Sequence, residues 1–582
     1  MTKLAMIAVS VVRVACGPRV LTNEDGGGGD DDAPVGPHTL SAVEITPTNS
    51  IIELDLDTPG SQAFTVTARY SDGVSEDITG SVTLTVANPA VGTMTGATLA
   101  IPGFATTGVQ TSRIRADYEG LAGEAQITVV AYRKTGAMQD FFFVLPYQDT
   151  AGQMAKPLDF GTAVPALDVM FMMDTTGSMI GEINNLQTSL SGTIIPGIQQ
   201  QVANSQFGVS SFEDFPITPH GQLQGELCWE TLAKNDQPLN LFQVITNNVS
   251  AVQTAVGKLK TPGGNPIGCG GDWPEAAMEG LYQVATGQGL STPSPTNVPP
   301  HTGGVGGASF RPGTMPVVVT ITDAMFHAPG ENTVCPDNTA VTTAYNAAVT
   351  AVAHTRAQTK TALNNICARA VGVASIESGL SLTCTGQPDL EDFATATGAR
   401  VPPVAWDIAA RPAGCAAGQC CTGINGIGRA PDGDGLCPLV FRVSSDGTGL
   451  GTSIVTGIRM LTRFATFDVT SERDGVTTSI DGTPLPAPHT TADFIKQVTP
   501  TGYTLPPAPP VVPAPTFDTT TFRRVTPGTG VQFDVRAFND FVPQTADAQI
   551  FRAVIRVVAG GCTDLDQREV LILVPPAPIV LL

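Results

Sequence analysis

Asp174, Thr176 and Ser178 are oxygen-bearing side chains at alternate positions, directly after the apolar run Val169-Met170-Phe171-Met172-Met173. The run reads as a buried strand, which places all three on the loop at its end. One carboxylate and two hydroxyls on one loop suit a hard divalent cation, which takes oxygen ligands. Magnesium retains several waters and needs only one or two carboxylates from the protein. Two further loops offer them. Residues 316–322 form a second apolar strand that runs into Asp323, and Gly270-Gly271-Asp272-Trp273-Pro274-Glu275 precedes a helical pattern. Taken singly, Asp174, Thr176 and Ser178 serve equally well as caps of the helix that follows. Metal binding requires the three loops to meet.

The elements that must bring them together span residues 165–465. Apolar strands are expected at 169–173, 207–212, 316–322 and 370–376. Helical patterns lie between them. Ile183, Leu186, Leu190 and Ile194 recur at three- and four-residue spacing, an alanine-rich stretch at 340–363 predicts a longer helix, and 390–396 predicts a short one. Such alternation implies an α/β doubly wound, Rossmann-like fold with a parallel sheet covered by helices. Ligands of open sheets of this kind bind beyond the C-terminal strand ends, where Asp174 falls. Two insertions are expected. Residues 286–314 are rich in Gly, Pro, Ser and Thr and predict a mobile loop. Residues 411–438 carry four cysteines and predict a disulfide-pinned excursion.

The flanks are β in character. In 39–131, Ala63-Phe64-Thr65-Val66-Thr67-Ala68-Arg69-Tyr70 alternates and Ser71-Asp72-Gly73 supplies a turn. Asp55-Leu56-Asp57-Thr58 matches a phosphatase DxDxT pattern, but Pro59-Gly60 and another strand follow, so it reads as a turn. Residues 132–164 and 466–582 are expected to form one β-sandwich hosting the α/β region as an insertion. Strands are expected there at 531–538, 551–558 and 569–574, with a Pro-rich linker at 505–515.

The chain has 582 residues, enough for about three to five domains. Thirty basic against 52 acidic residues give a net charge of -22. Phosphate binding needs a basic surface, so nucleic acid is not an expected partner. Residues 1–16 resemble an export signal, with Lys3 ahead of a short apolar core ending at Val12. Ala15-Cys16-Gly17 resembles a bacterial lipoprotein cleavage site with Cys16 as the lipidated residue, although Arg13 stands where that pattern carries Leu. A plainly secreted protein is the alternative. Residues 17–38 are a flexible acidic, Gly-rich tether. Of eleven cysteines, removing Cys16 leaves ten, an even number suited to disulfides in an oxidising compartment. Zinc is the competing role for Cys415, Cys420, Cys421 and Cys437, without a CxxC pair to support it. Anchorage through lipid alone is expected, with no transmembrane helix, at an outer membrane or cell surface.

Two resemblances attach to these residues. Val43-Glu44-Ile45-Thr46-Pro47, Tyr70-Ser71-Asp72-Gly73 and Ala87-Asn88-Pro89-Ala90-Val91 resemble bacterial Ig-like modules, which implies a spacer without chemistry of its own. The region from Asp174 to Asp323 resembles a von Willebrand factor type A domain with a metal-ion-dependent adhesion site, most closely the inserted domain of integrin β subunits. Asp-x-Thr-x-Ser at 174–178, Phe207-Gly208 through Phe212-Glu213-Asp214, Asp272-Trp273-Pro274-Glu275 and Thr322-Asp323-Ala324-Met325-Phe326-His327 carry the match. The resemblance implies Mg²⁺ or Mn²⁺ held by Asp174, Thr176, Ser178, Asp323 and Glu275. It also implies a second, Ca²⁺ site using Asp214, Asp272 and the Pro274 carbonyl, although Gly270 stands where the family has an asparagine ligand. A third site requires an acidic pair where this chain has Gly181-Glu182. Thr261 is an alternative loop hydroxyl, and His327 reads as a loop or core residue.

The function these features imply is adhesion: a metal ion with an open position takes a carboxylate from a protein partner. A structural surface protein whose metal only stabilises the fold is the alternative. An aspartic protease needs two Asp-Thr/Ser-Gly loops, and none occurs. HExxH and Gly-x-Ser-x-Gly are also missing, so no enzymatic activity is expected.

Overall fold

The computed structural model describes residues 38–577 except 136–139, 151–153, 224–226, 229–230, 233–234, 378, 409–410 and 509. The signal segment, Cys16 and the tether as far as residue 37 lie outside the described residues. The chain forms two compact units. One comprises the described residues as far as Ile52 with Pro59–Pro102 and Gln110–Val129, and the other the remainder.

The first unit is all-β. Its strands fall into small sheets, one ordered Leu40–Thr46, Thr65–Tyr70, Ser75–Asp77 and another built on the long pair Gly108–Tyr118 and Leu121–Ala131. Period-two alternation turns Val66, Ala68, Ile114 and Ala116 inward, each fully buried. Glu119 and Gly120, at φ 46° and 86°, make the tight turn between the long strands, where both positions need positive φ. Leu56 and Asp57 form a turn as expected from Pro59-Gly60, with Asp57 at φ 59°.

The α/β part of the second unit is a single six-stranded sheet. Its elements are β1 (Ala166–Asp174), α1 (Ile180–Ser189), β2 (Asn204–Phe212), β3 (Asn240–Thr246), α2 (Val249–Gly257), α3 (Ala277–Thr286), β4 (Met315–Thr322), α4 (Arg356–Asn365), β5 (Arg369–Ile376), α5 (Gln387–Ala396), β6 (Val440–Ser444) and α6 (Leu450–Phe464). The strand order is β3-β2-β1-β4-β5-β6, with all neighbours parallel except the antiparallel edge strand β3. Every residue of β1 and β4 is buried, which explains their uninterrupted apolar character. Between β1 and β4 the winding reverses. Strand order there opens a crevice beyond the C-terminal ends, flanked by Asp174 and Asp323. Ile183, Leu186, Leu190 and Ile194 are all fully buried, the last two in a π-helical turn that continues α1.

The expected helix at 340–363 is not continuous. Asn338–Thr342 is a strand paired with Val334–Cys335, because Val341 and Thr342 are β-branched and favour extended backbone. Helix resumes at Ala347–Thr350 and again at α4, where Thr355 and Gln358 close a capping box. Beyond Thr286, the last residue of α3, residues 287–314 hold no helix or strand. Their C-terminal part is nonetheless packed, with Ala308 and Phe310 fully buried and the Ile245 amide donating to the Ala308 carbonyl at 3.1 Å.

Segments on both sides of the α/β part share two further sheets. One orders Phe141–Val144, Thr563–Val574, Gln549–Ala559, Phe467–Gly475, Thr521–Val525 and Thr516–Phe517. The other orders Met154–Phe160, Gly530–Ala537 and Ile495–Thr504. Phe533 packs between them, 5.2 Å from Phe522 and 5.8 Å from Phe160, ring centre to ring centre. Disulfides join Cys335–Cys384, Cys367–Cys562, Cys415–Cys421 and Cys420–Cys437, and Cys269 is disulfide-bonded as well. The four cysteines weighed as zinc ligands thus bond to one another. No helix among the described residues is long and apolar enough to cross a membrane.

Candidate metal centre

Strand register places the first two loops side by side. Met173 on β1 lies opposite Ile321 on β4, so the next residues, Asp174 and Thr322, are neighbours. Thr322 Oγ1 donates to Asp174 Oδ2 at 2.7 Å. Asp174 Oδ1 accepts from the Thr176 amide at 2.9 Å and from Thr176 Oγ1 at 2.7 Å. Thr176 precedes a 3₁₀ turn at Gly177–Met179 without making a side-chain cap, and Met179 makes none for α1. The helix-capping role is therefore not the one these side chains play. Ser178, exposed on the same turn, hydrogen-bonds Asp323.

The Glu275 loop is threaded onto the others by its backbone. The Glu275 amide donates to the Met325 carbonyl and the His327 amide to the Glu275 carbonyl, both at 2.9 Å. The Gly268 amide donates to the Thr175 carbonyl at 3.0 Å, and the Ala276 amide to the Glu213 carbonyl at 2.9 Å. Trp273 Nε1 donates to the carbonyl of Cys384, which the Cys335–Cys384 disulfide secures. Gly270 sits at φ 70°, and a Cβ on it would stand 2.7 Å from Glu275 Oε1 and 3.4 Å from Thr176 Cγ2. A side chain at this positive φ would press on the Glu275 carboxylate, which would have to move aside, so glycine leaves Glu275 its present place.

Asp174, Glu275 and Asp323 are 0%, 4% and 8% exposed. Glu275 Oε2 and Asp323 Oδ1 are fully buried and accept no hydrogen bond. Burial and then Asp174 push the Asp323 carboxyl up to about 8. Burial, followed by Asp174, Asp214, Asp236 and Asp323, lifts Glu275 well above its ordinary value. Burial also raises Asp174, against the bonds from Thr322 and Thr176. Like-charged groups this close cannot all ionise without a counter-charge, and among the described residues no lysine or arginine is one of the main influences on these three. Orphaned carboxylate oxygens, two hydroxyls and missing positive charge make a donor set that fits a hard divalent cation.

The residues expected at a second site have other partners. Asp272 Oδ2 pairs with His220 Nδ1 and its Oδ1 with His327 Nε2, both at 3.1 Å. Burial would raise Asp272, but these two bonds outweigh it and hold the carboxyl below its ordinary value. Asp214 Oδ1 accepts from the Phe215 amide and from Tyr345 Oη, and its Oδ2 lies 3.2 Å from His327 Nε2. Burial and then Asp272 raise the Asp214 carboxyl. His220 Nε2 accepts from the Asn346 amide at 3.0 Å, so Nδ1 of the neutral ring carries the proton. His327 Nδ1 faces the Thr343 carbonyl at 3.1 Å and must donate to it. A histidine pair therefore stands against Asp214 and Asp272. Pro274 is buried beside them, and Thr261 closes its own turn by bonding the Asn265 carbonyl.

Sequence reasoning did not find His220, Asp236 or Tyr345, and met Glu182 only as the single acid at the position of a third site. Asp236 Oδ1 and Oδ2 accept from the Cys269 and Gly270 amides at 3.0 and 3.1 Å and so shape the Glu275 loop. Glu182 on α1 accepts from Ser375 Oγ at 2.6 Å, and burial pushes it up to about 7. His220, Asp236 and Tyr345 lie in no motif and at no telling spacing.

No family model and no curated sequence matches the chain. Among solved structures, a von Willebrand factor type A protein from Catenulispora acidiphila aligns over 76% of this chain and 76% of its own, at 12% identity and TM-score 0.25. The pilus adhesin SpaC from Lactobacillus rhamnosus GG, in its open conformation, aligns over 85% of this chain at 12% identity and TM-score 0.27. This chain spans 55% of the adhesin's length. TM-scores this low leave the function to be argued from the site itself.

Proposed function

We propose that the α/β part is a von Willebrand A-type domain of an exported surface protein, and that its crevice binds a partner's carboxylate through a divalent metal ion. The observation that carries this is the pair of buried, unpartnered oxygens on Glu275 and Asp323 beside Asp174. Asp174, Thr176, Ser178, Asp323 and Glu275 would hold Mg²⁺ or Mn²⁺. A bound ion of this kind supplies a Lewis-acidic open position that a carboxylate oxygen can fill. Asp174 and Thr322 brace one another across the two central strands, Ser178 orients Asp323, and Gly270 leaves room for Glu275. The role is recognition, without bond-making chemistry.

Immobilised protein challenged with peptides bearing free or amidated Asp and Glu side chains tests this. Acidic peptides should be retained in Mg²⁺ or Mn²⁺, released by EDTA and lost on Asp174→Ala. Equal retention in EDTA, or by a folded Asp174→Ala variant, would overturn it. A metal-dependent rise in melting temperature with no acidic peptide retained would assign the ion a structural role instead.

A further inference from the structure

A second cavity lies away from the metal crevice, where the disulfide-pinned insertion folds against β6 and α6. Its volume is about 320 Å³, at the small end of the roughly 300–1,000 Å³ typical of small-molecule sites. The insertion forms one wall. Cys420–Cys437 and Cys415–Cys421 staple that wall, and the Arg442 amide on β6 donates to the Thr422 carbonyl at 2.8 Å. The pocket is thus held open before any ligand arrives, which lowers the cost of binding.

The lining has a definite chemistry. Arg442 and Arg459 contribute guanidinium groups, and no Asp or Glu lines the cavity. This is notable in a chain with 52 acidic and 30 basic residues, where Arg356 alone meets Glu331, Asp389 and Asp392. Arg442 Nε donates to Gln387 Oε1, a neutral group, and Arg459 Nε is buried without a partner. Burial and then Arg463 lower Arg459; burial and then Arg429 lower Arg442 against a smaller opposing pull from Glu391, so neither cation is fully compensated. Thr452, Ser453 and Thr456, within little more than one turn of α6, bring hydroxyl-bearing side chains to the lining. Phe441 and Trp406, each 4% exposed, add aromatic surface.

We propose that this cavity binds a sugar acid, a single hydroxylated ring whose carboxylate is taken by Arg459 and Arg442 and whose hydroxyls meet those of α6. Guanidinium groups match carboxylates in geometry and charge, hydroxyls serve as both donors and acceptors, and the volume admits one ring. The site owes nothing to the divalent ion, so the two assignments fail or stand separately.

The probe is glucuronate, titrated calorimetrically into the full exported chain in EDTA, with glucose and inorganic sulfate as controls. EDTA prevents glucuronate from reading out the metal crevice. Glucuronate should bind, glucose should not, and Arg459→Gln should weaken glucuronate at least tenfold with an unchanged melting temperature. Thr456→Val, a milder change, should weaken it at least threefold, and Asp174→Ala should leave it unaltered. No glucuronate binding at millimolar concentration, or equal binding to folded Arg459→Gln and Thr456→Val, would overturn the proposal. Sulfate binding as tightly as glucuronate would overturn the sugar-acid assignment.

Discussion

Stripping divalent ions with EDTA should make the α/β part lose stability as the pH rises from 5 to 8. Glu275, Asp174 and Glu182, all raised by burial, contribute alongside Asp323. The Asp323 carboxyl is pushed from an ordinary 3.8 to about 8, first by burial and then by Asp174. A carboxyl raised in the folded state holds its proton there more tightly than in the unfolded chain. The stability this contributes is fully present below the unfolded value and is lost as pH climbs through the folded one. Between pH 5 and 8 the difference is about 4 kcal/mol from this group. At roughly 2–4 °C per kcal/mol for a domain of this class, the melting temperature should fall by on the order of 10 °C. Saturating Mg²⁺ replaces the proton as counter-charge, so the fall should be largely abolished and the Mg²⁺-induced shift should grow with pH. Tryptophan fluorescence is the assay, because Trp229, Trp273 and Trp406, the chain's 3 tryptophans, all lie in the α/β region. Asp323→Asn should flatten the EDTA profile and remove the Mg²⁺ response. A melting temperature in EDTA that is constant or rises from pH 5 to 8 would refute the reasoning, as would an Mg²⁺ shift equal at both ends.

His327→Ala should destabilise the α/β part by about 3–5 kcal/mol in denaturant titrations, since it removes the ring facing Asp214 Oδ2 and leaves Asp272 with His220 alone. Cys562→Ser opens a link of sequence separation 195 between the α/β part and the β-sandwich, and should cost up to about 5 kcal/mol, read as a lower melting temperature under oxidising conditions.

The central strands were legible because β1 and β4 are buried on both faces and so are written as unbroken apolar runs. The edge strands β3 and β6 were not. Asn240–Thr246 is half-buried along nearly its whole length and mixes polar with apolar residues. Local composition also misled at 340–363, where alanine content suggested one helix and a β-branched pair diverted the chain into a hairpin.

At the centre itself, the spacing of Asp174, Thr176 and Ser178 after a buried strand puts three oxygens on one loop, a pattern that suits a cation or a helix cap equally until the other loops are added. Asp323 follows from the same rule one strand over. The charge state of these groups belongs to the tertiary structure. It arises where the sheet reverses its winding and brings Glu275, Asp323 and Asp174 into one buried volume, where burial raises all three and Asp174 raises its two neighbours further. The pairing of histidines with Asp214 and Asp272 was not legible either, since His220 was not singled out and His327 read only as a loop or core residue. His220 and His327 are separated by more than a hundred residues, and only the packing of their loops places both rings on one carboxylate. Sequence alone decided which side chains can bind a metal; long-range packing decided which of them already have a partner.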